Sequence, residues 1–109
     1  MLKIFLTAMV VLCCIKANAQ NGQNVQEMMV MCKGPAVEKI YCLGQASGVL
    51  SVMQANAREP IAWRMCSPGF LTGGQAVQIF LNWAEKNPKH WQIPSAQGFA
   101  LALKDAYPC

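Results

Sequence analysis

The chain has 109 residues, 54% of them hydrophobic, with nine basic and five acidic side chains. That length allows one domain with a modest core. No Lys/Arg run is present to give the concentrated basic face that nucleic acid requires, and the single histidine, His90, leaves little for acid–base or metal chemistry.

The chain begins Met1-Leu2-Lys3, continues as an apolar run from Ile4 to Ile15, and reaches Lys16-Ala17-Asn18-Ala19 before Gln20. A basic start, an apolar stretch and an A-x-A site are the parts of a secretory signal peptide, so residues 1–19 are expected to be removed. The run is short of the roughly 20 apolar residues that span a bilayer, so no membrane attachment is expected after cleavage. Cys13 and Cys14 lack the small preceding residue of a lipid-attachment signal and are expected to leave with the leader. The mature chain, 20–109, then carries seven basic and five acidic groups and reads as a single helical domain.

Four helices are predicted in it. The first runs from about Asn24 to Cys32, with Val25, Met28, Met29 and Met31, and ends at Lys33-Gly34-Pro35. The second runs from about Ile40 to Ala57, with Leu43, Ala46, Leu50, Met53 and Ala57 spaced as an inward stripe. Gly44 and Gly48 lie four apart on it and leave a flat strip for close approach of another helix, either within the bundle or in a dimer. Glu59-Pro60 and Ser67-Pro68-Gly69 make turns. Thr72-Gly73-Gly74-Gln75 fits a capping box opening a third helix to about Lys86, with Ala76, Val77, Phe80, Trp83 and Ala84 inward. Asn87-Pro88 stops it, and a fourth helix starts near Ser95 and carries Phe99, Ala100, Leu103, Ala106 and Tyr107. The fold class is therefore all-α, a small four-helix bundle.

The mature chain keeps Cys32, Cys42, Cys66 and Cys109, an even number in a small exported domain, which reads as two disulfides. Their separations of 10, 24 and 43 contain no C-x-x-C pair of the kind zinc sites use. Short connections favour antiparallel neighbours. Cys32 and Cys42 then fall at one end of the bundle and Cys66 and Cys109 at the other, so the expected bridges are Cys32–Cys42 and Cys66–Cys109.

Catalytic groups are not assembled by any motif. A Ser/His/Asp triad would have to recruit His90 and Asp105, and none of Ser47, Ser51, Ser67 or Ser95 sits in a G-x-S-x-G turn. Glu27, Glu38, Glu59 and Glu85 read as solvated charges on polar faces. The expectation is a binding protein that is not an enzyme and needs no cofactor and no metal. Trp63 and Arg64, in the loop after the second helix, and His90 and Trp91, in the loop before the fourth, are the candidate partner-binding residues, because Trp and Arg anchor many interfaces.

The set Tyr41-Cys42-Leu43-Gly44, Gly48-Val49, Cys66-x-Pro68, Leu71-Thr72-x-x-Gln75, Asn87-Pro88 with His90, and Ala102-Leu103-x-x-Ala106-Tyr107-Pro108-Cys109 resembles the Rap/Tai-type immunity proteins associated with bacterial type VI secretion. The resemblance covers about Cys32 to Cys109. It implies a small periplasmic helical protein, in many members a homodimer, that binds a secreted peptidoglycan amidase toxin and occludes its active site. Two other readings compete with it. A small acid-type stress chaperone of the periplasm would use Met28, Met29, Met31, Met53 and Met65 as an adaptable apolar surface, and an envelope binding module would be part of a larger assembly.

Overall fold

The computed structural model describes residues 22–55 and 64–109. The expected leader, 1–19, lies outside the described residues, as do Ala57, the Glu59-Pro60 turn and Trp63. Among the described residues there are four α-helices and no strand: α1 (Val25–Lys33), α2 (Ala36–Ala55), α3 (Gly73–Lys86) and α4 (Ser95–Ala106), with a 3-10 turn at Pro88–His90. This is the all-α bundle expected from the periodicity.

Both disulfides form as expected. Cys32 and Cys42 join α1 to α2 with their Cα atoms 5.2 Å apart, and Cys66 and Cys109 join the segment before α3 to the residue at the end of the chain, Cα atoms 5.0 Å apart. Cys32 and Cys42 are buried, whereas Cys66 and Cys109 are exposed.

The core is built by α2 packing on α1, α3 and α4, and by α4 packing back on α1 and α3. Phe80 of α3 and Phe99 of α4 stack with ring centroids 4.0 Å apart, and Val25, Met28, Cys42, Ala46, Met53 and Leu103 close around them. Each large side chain buried this way contributes about 1.5–3 kcal/mol of transfer free energy.

Three expectations are corrected. The second helix begins at Ala36, earlier than expected, because the Pro35 carbonyl accepts from Lys39 N at 3.0 Å and the proline that stops α1 also opens α2. Leu43 and Ala106 are exposed, not inward. Gly44 and Gly48 do not pack against another helix of the bundle, since a Cβ at either would meet nothing within 4 Å. The close approaches are made instead by Gly98, where an added Cβ would meet Val25 Cγ2 together with Phe80 Cε2 at 3.4 Å, and by Gly73, which faces Ser47 Oγ and Leu43 Cδ1.

The helix ends are tied to one another. At the start of α1 three N–H groups that the helix cannot satisfy itself have partners: Val25 N donates to Ile93 O at 3.0 Å, Gln26 N to Trp91 O at 3.1 Å and Glu27 N to Asn24 Oδ1 at 2.8 Å, while Met28 N makes the first intrahelical bond, to Asn24 O at 3.0 Å. In return Ser95 N, opening α4, donates to Gln23 O at 2.9 Å. The Gln92-Ile93-Pro94 stretch thus caps α1 while it starts α4.

Candidate functional site

Two of the four residues singled out from sequence have structural partners. The Trp91 indole N–H donates to Ala84 O at 2.7 Å, and Asn87 Nδ2 donates to Trp83 O at 2.8 Å, so these two side chains satisfy the last carbonyls of α3. The His90 ring stacks on Trp83 with centroids 5.6 Å apart and planes at 13°, while Trp83 Nε1 donates to Asp105 Oδ2 at 3.0 Å. Both His90 and Trp91 remain half-buried.

Arg64 is half-buried as well, and its Nε has no hydrogen-bond partner among the described residues. It lies two residues before Cys66, whose N–H donates to Tyr107 O at 2.9 Å where α4 stops, whereas Trp91 sits where α4 starts. The length of α4, about 18 Å at 1.5 Å per residue, therefore separates the two. The structure brings His90 and Trp91 together and leaves Arg64 at the other end. Trp63 lies outside the described residues.

The exposed apolar side chains point elsewhere. Buried Cys42, Ala46, Leu50 and Met53 form one face of α2, and the opposite face carries Val37 at 80% exposure, Ile40 at 68%, Tyr41, Gly44, Gly48, Ser51 and Val52. From Ile40 to Ala55 the helix has no Asp, Glu, Lys or Arg, and it is apolar nearly all round. Ser51 Oγ turns back to Ser47 O at 2.8 Å and offers little polarity to solvent. A soluble surface helix normally has a charged outer face. Even so, among the described residues no helix is long and apolar enough to cross a membrane. Away from α2, Val30 of α1 is exposed, and so is Phe70, at 94%, at the tip of the loop between Cys66 and Thr72.

The sequence reading missed both features. The signal for the first is the absence of charge from Ile40 to Ala57, which leaves apolar residues on both sides of the helix, so that an inward stripe does not exclude an outward one. Phe70 follows the Ser67-Pro68-Gly69 turn directly, but nothing in the sequence tells a turn aromatic folded inward from one held out.

The five methionines proposed as a surface are not one: Met28, Met29, Met53 and Met65 are buried, and Met31 packs against the core. Among the described residues no group of three His, Cys, Asp or Glu side chains is placed to hold a metal ion. What remains is a stapled helical scaffold presenting an apolar helix face and one projecting aromatic, the features of a protein-binding domain.

A family model, described as Rap1a immunity proteins, matches residues 24–109, from the N-cap of α1 to the last disulfide cysteine. The chain belongs to this family and is an immunity protein. Comparison with curated proteins and with solved structures found no match.

Proposed function

We propose that the protein is a periplasmic immunity protein that binds a secreted peptidoglycan amidase toxin and blocks its active site by occlusion, without chemistry of its own. The observation that carries this is the family match, which spans the whole stapled bundle. The two disulfides support the compartment, since such bonds persist in oxidising surroundings. In this reading residues 1–19 direct export and are removed, and 20–109 act as one domain. Trp63, Arg64, His90 and Trp91 keep their proposed part in the partner contact through whatever surface the bundle leaves them.

The test is protection. Cells producing a peptidoglycan amidase toxin sent to the periplasm should survive when this chain is co-expressed with residues 1–19, and should lyse when it is made without them. Lysis in both cases, across every amidase of the producing genome, would refute the reading. Survival with a leaderless chain would refute periplasmic action.

The exposed face of α2 supports a homodimer as part of the same reading. Val37, Ile40, Tyr41 and Val52 expose apolar area on the order of 400 Å², a size at which patches mark interaction sites. Gly44 and Gly48 at its centre let a second helix backbone come close. Sedimentation of the oxidised protein should show a dimer that Ile40→Asp with Val52→Asp converts to monomer; a monomeric wild type at 100 μM, on the order of a weak dimer's dissociation constant, would refute it.

A further inference from the structure

A hollow of about 320 Å³ opens between the C-terminal halves of α3 and α4. Ile79, Ala102, Ala106 and the edge of Trp83 give it an apolar lining, while Lys86 lines it from α3 and Asp105 from α4. Both charged side chains are open to solvent. They do not pair with each other, and among the described residues neither is in any ion pair. Opposite charges kept apart across an apolar patch leave room for a ligand that carries the complementary pair.

The polar groups of this hollow are already oriented. Trp83 Nε1 donates to Asp105 Oδ2 at 3.0 Å, and the indole is itself held by the His90 ring stacked on it at 5.6 Å. One carboxylate oxygen is thus fixed and the other, Oδ1, keeps its full accepting capacity. Asn87 Nδ2 is committed to Trp83 O at 2.8 Å, which leaves the Asn87 amide oxygen to accept. Asn82 Oδ1 accepts from Gln78 Nε2 at 3.0 Å, which leaves the Asn82 amide nitrogen to donate. Both asparagines line the same hollow. Side chains ordered before a ligand arrives have less entropy to lose when it binds.

The two sides differ in sign. Asp105 lies in the last turn of α4, where the end carbonyls of the helix add negative potential, so this side takes a cation. The Lys86 ammonium has three donors for a carboxylate. A lone cation or a lone anion would answer only one of the two charges. The volume is at the small end of the range for ligand sites. We propose that the hollow is a binding site for the zwitterionic head of an α-amino acid, its ammonium on Asp105 and Asn87 Oδ1 and its carboxylate on Lys86 and Asn82 Nδ2. An apolar side chain then lies on Ile79, Ala102 and Ala106. Free amino acids carry this head group, and so does the diamino acid of a wall peptide, whose side chain ends in the same two charges on one carbon. The site does not depend on the toxin-binding reading.

The test is a titration of the ¹⁵N-labelled oxidised protein followed at the Trp83 indole N–H. The probes are L-leucine and the tripeptide L-alanyl-γ-D-glutamyl-meso-diaminopimelate. A saturable shift with a dissociation constant on the order of 10 mM or below is expected for at least one of them, and the tighter one identifies the source. 4-Methylpentanoate and 3-methylbutylamine, which each keep one of leucine's charges, should bind about 5-fold more weakly or less. Asp105→Asn keeps an acceptor for the indole and Lys86→Met keeps the stem; each should weaken binding by about 5-fold, and Lys89→Met, outside the hollow, should not. No shift with either probe at about 50 mM, several times that dissociation constant, would overturn the proposal. Equal binding of leucine and its two single-charge analogues would overturn it in favour of a merely apolar contact. Unchanged affinity in both Asp105→Asn and Lys86→Met, with unchanged circular dichroism, would place the ligand elsewhere and overturn it as well.

Discussion

Replacing glycine with alanine at two positions of the same bundle should move stability in opposite directions. In the interior of an exposed helix the change is favourable by about 1 kcal/mol, because alanine loses less backbone freedom on folding. Gly44 of α2 meets that condition: a Cβ there finds nothing within 4 Å. Gly98 of α4 does not. Its added Cβ would press into Val25 Cγ2 and lie 3.4 Å from Phe80 Cε2 and 3.6 Å from Trp83 Cζ3.

Whether Val25 can yield decides the sign. It is fully buried, β-branched and so stiff at χ1 in a helix, and its backbone N–H is held by Ile93 O at 3.0 Å. With no rotamer to move to, α1 or α4 must shift, an overpacking cost near the upper end of about 1–3 kcal/mol. Set against the propensity gain, Gly98→Ala should lose about 2 kcal/mol. For a domain of this size 1 kcal/mol is about 4–8 °C, so the Tm should fall by roughly 10 °C in Gly98→Ala and rise by about 5 °C in Gly44→Ala. Thermal melts followed at 222 nm, on dilute oxidised protein so that self-association does not enter, read both. Val25→Ala should partly rescue Gly98→Ala, with a coupling above about 1 kcal/mol in the double-mutant cycle. A Gly98→Ala protein as stable as wild type, or additive behaviour with Val25→Ala, would show that the helices are not in the contact described.

Three further changes test the helix ends and staples. Thr72→Ala removes the hydroxyl half of the α3 capping box and should cost about 1 kcal/mol in urea unfolding, with an unchanged m-value. Trp91→Phe keeps the ring but removes one of the two donors of Ala84 O, leaving the 3.2 Å bond from Asn87 N, and should cost about 0.5–1 kcal/mol; no change would mean that the remaining donor or water suffices. Limited reduction followed by alkylation should label the exposed Cys66 and Cys109 before the buried Cys32 and Cys42. Loss of the Cys66–Cys109 bridge, which closes a separation of 43 residues, should destabilise by about 4 kcal/mol, against about 3 kcal/mol for the separation of 10.

Much of the fold was legible because it rests on local and one-dimensional signals. The capping box at Thr72 and Gln75 is a spacing rule, and both atoms make the bonds that the rule names. The disulfide pairing followed from helix count and direction, which needs only the order of elements. Glycines were a different matter: Gly44 and Gly48 advertised close packing by their spacing and have none within the bundle, while Gly98, unremarkable in sequence, touches α1 and α3. Close approach depends on which face of a helix meets which neighbour, and a helix apolar on both faces, as α2 is, does not say. The same ambiguity hid the outer face of α2. Trp91 and His90 were read as candidate contacts because aromatics in loops often are; the partner of the Trp91 indole is a carbonyl seven residues earlier, at the end of a helix whose last turn the sequence does not show to be in need of a donor.

The way the helices end explains how so small a core holds together. Nine residues of α1 would not stay helical alone, since isolated helices shorter than about 12–15 residues are marginal in water. Its first two N–H groups are satisfied by Ile93 and Trp91 carbonyls, the start of α4 is satisfied by Gln23, and the end of α3 by Asn87 and Trp91, so each terminus exists only when another element is in place. The disulfide at Cys32 and Cys42 fixes the opposite end of α1 inside the core. Such mutual dependence makes the bundle cooperative without drawing on the exposed side chains of the outer face of α2 or on Phe70, at the tip of a loop whose ends, the Cys66 bridge and the Thr72 cap, do stabilise the fold. Those apolar side chains contribute little to the stability of the fold, and they stand exposed to solvent at a cost that folding alone does not require. An exposed apolar surface that the fold does not need is the physical mark of one that a partner does.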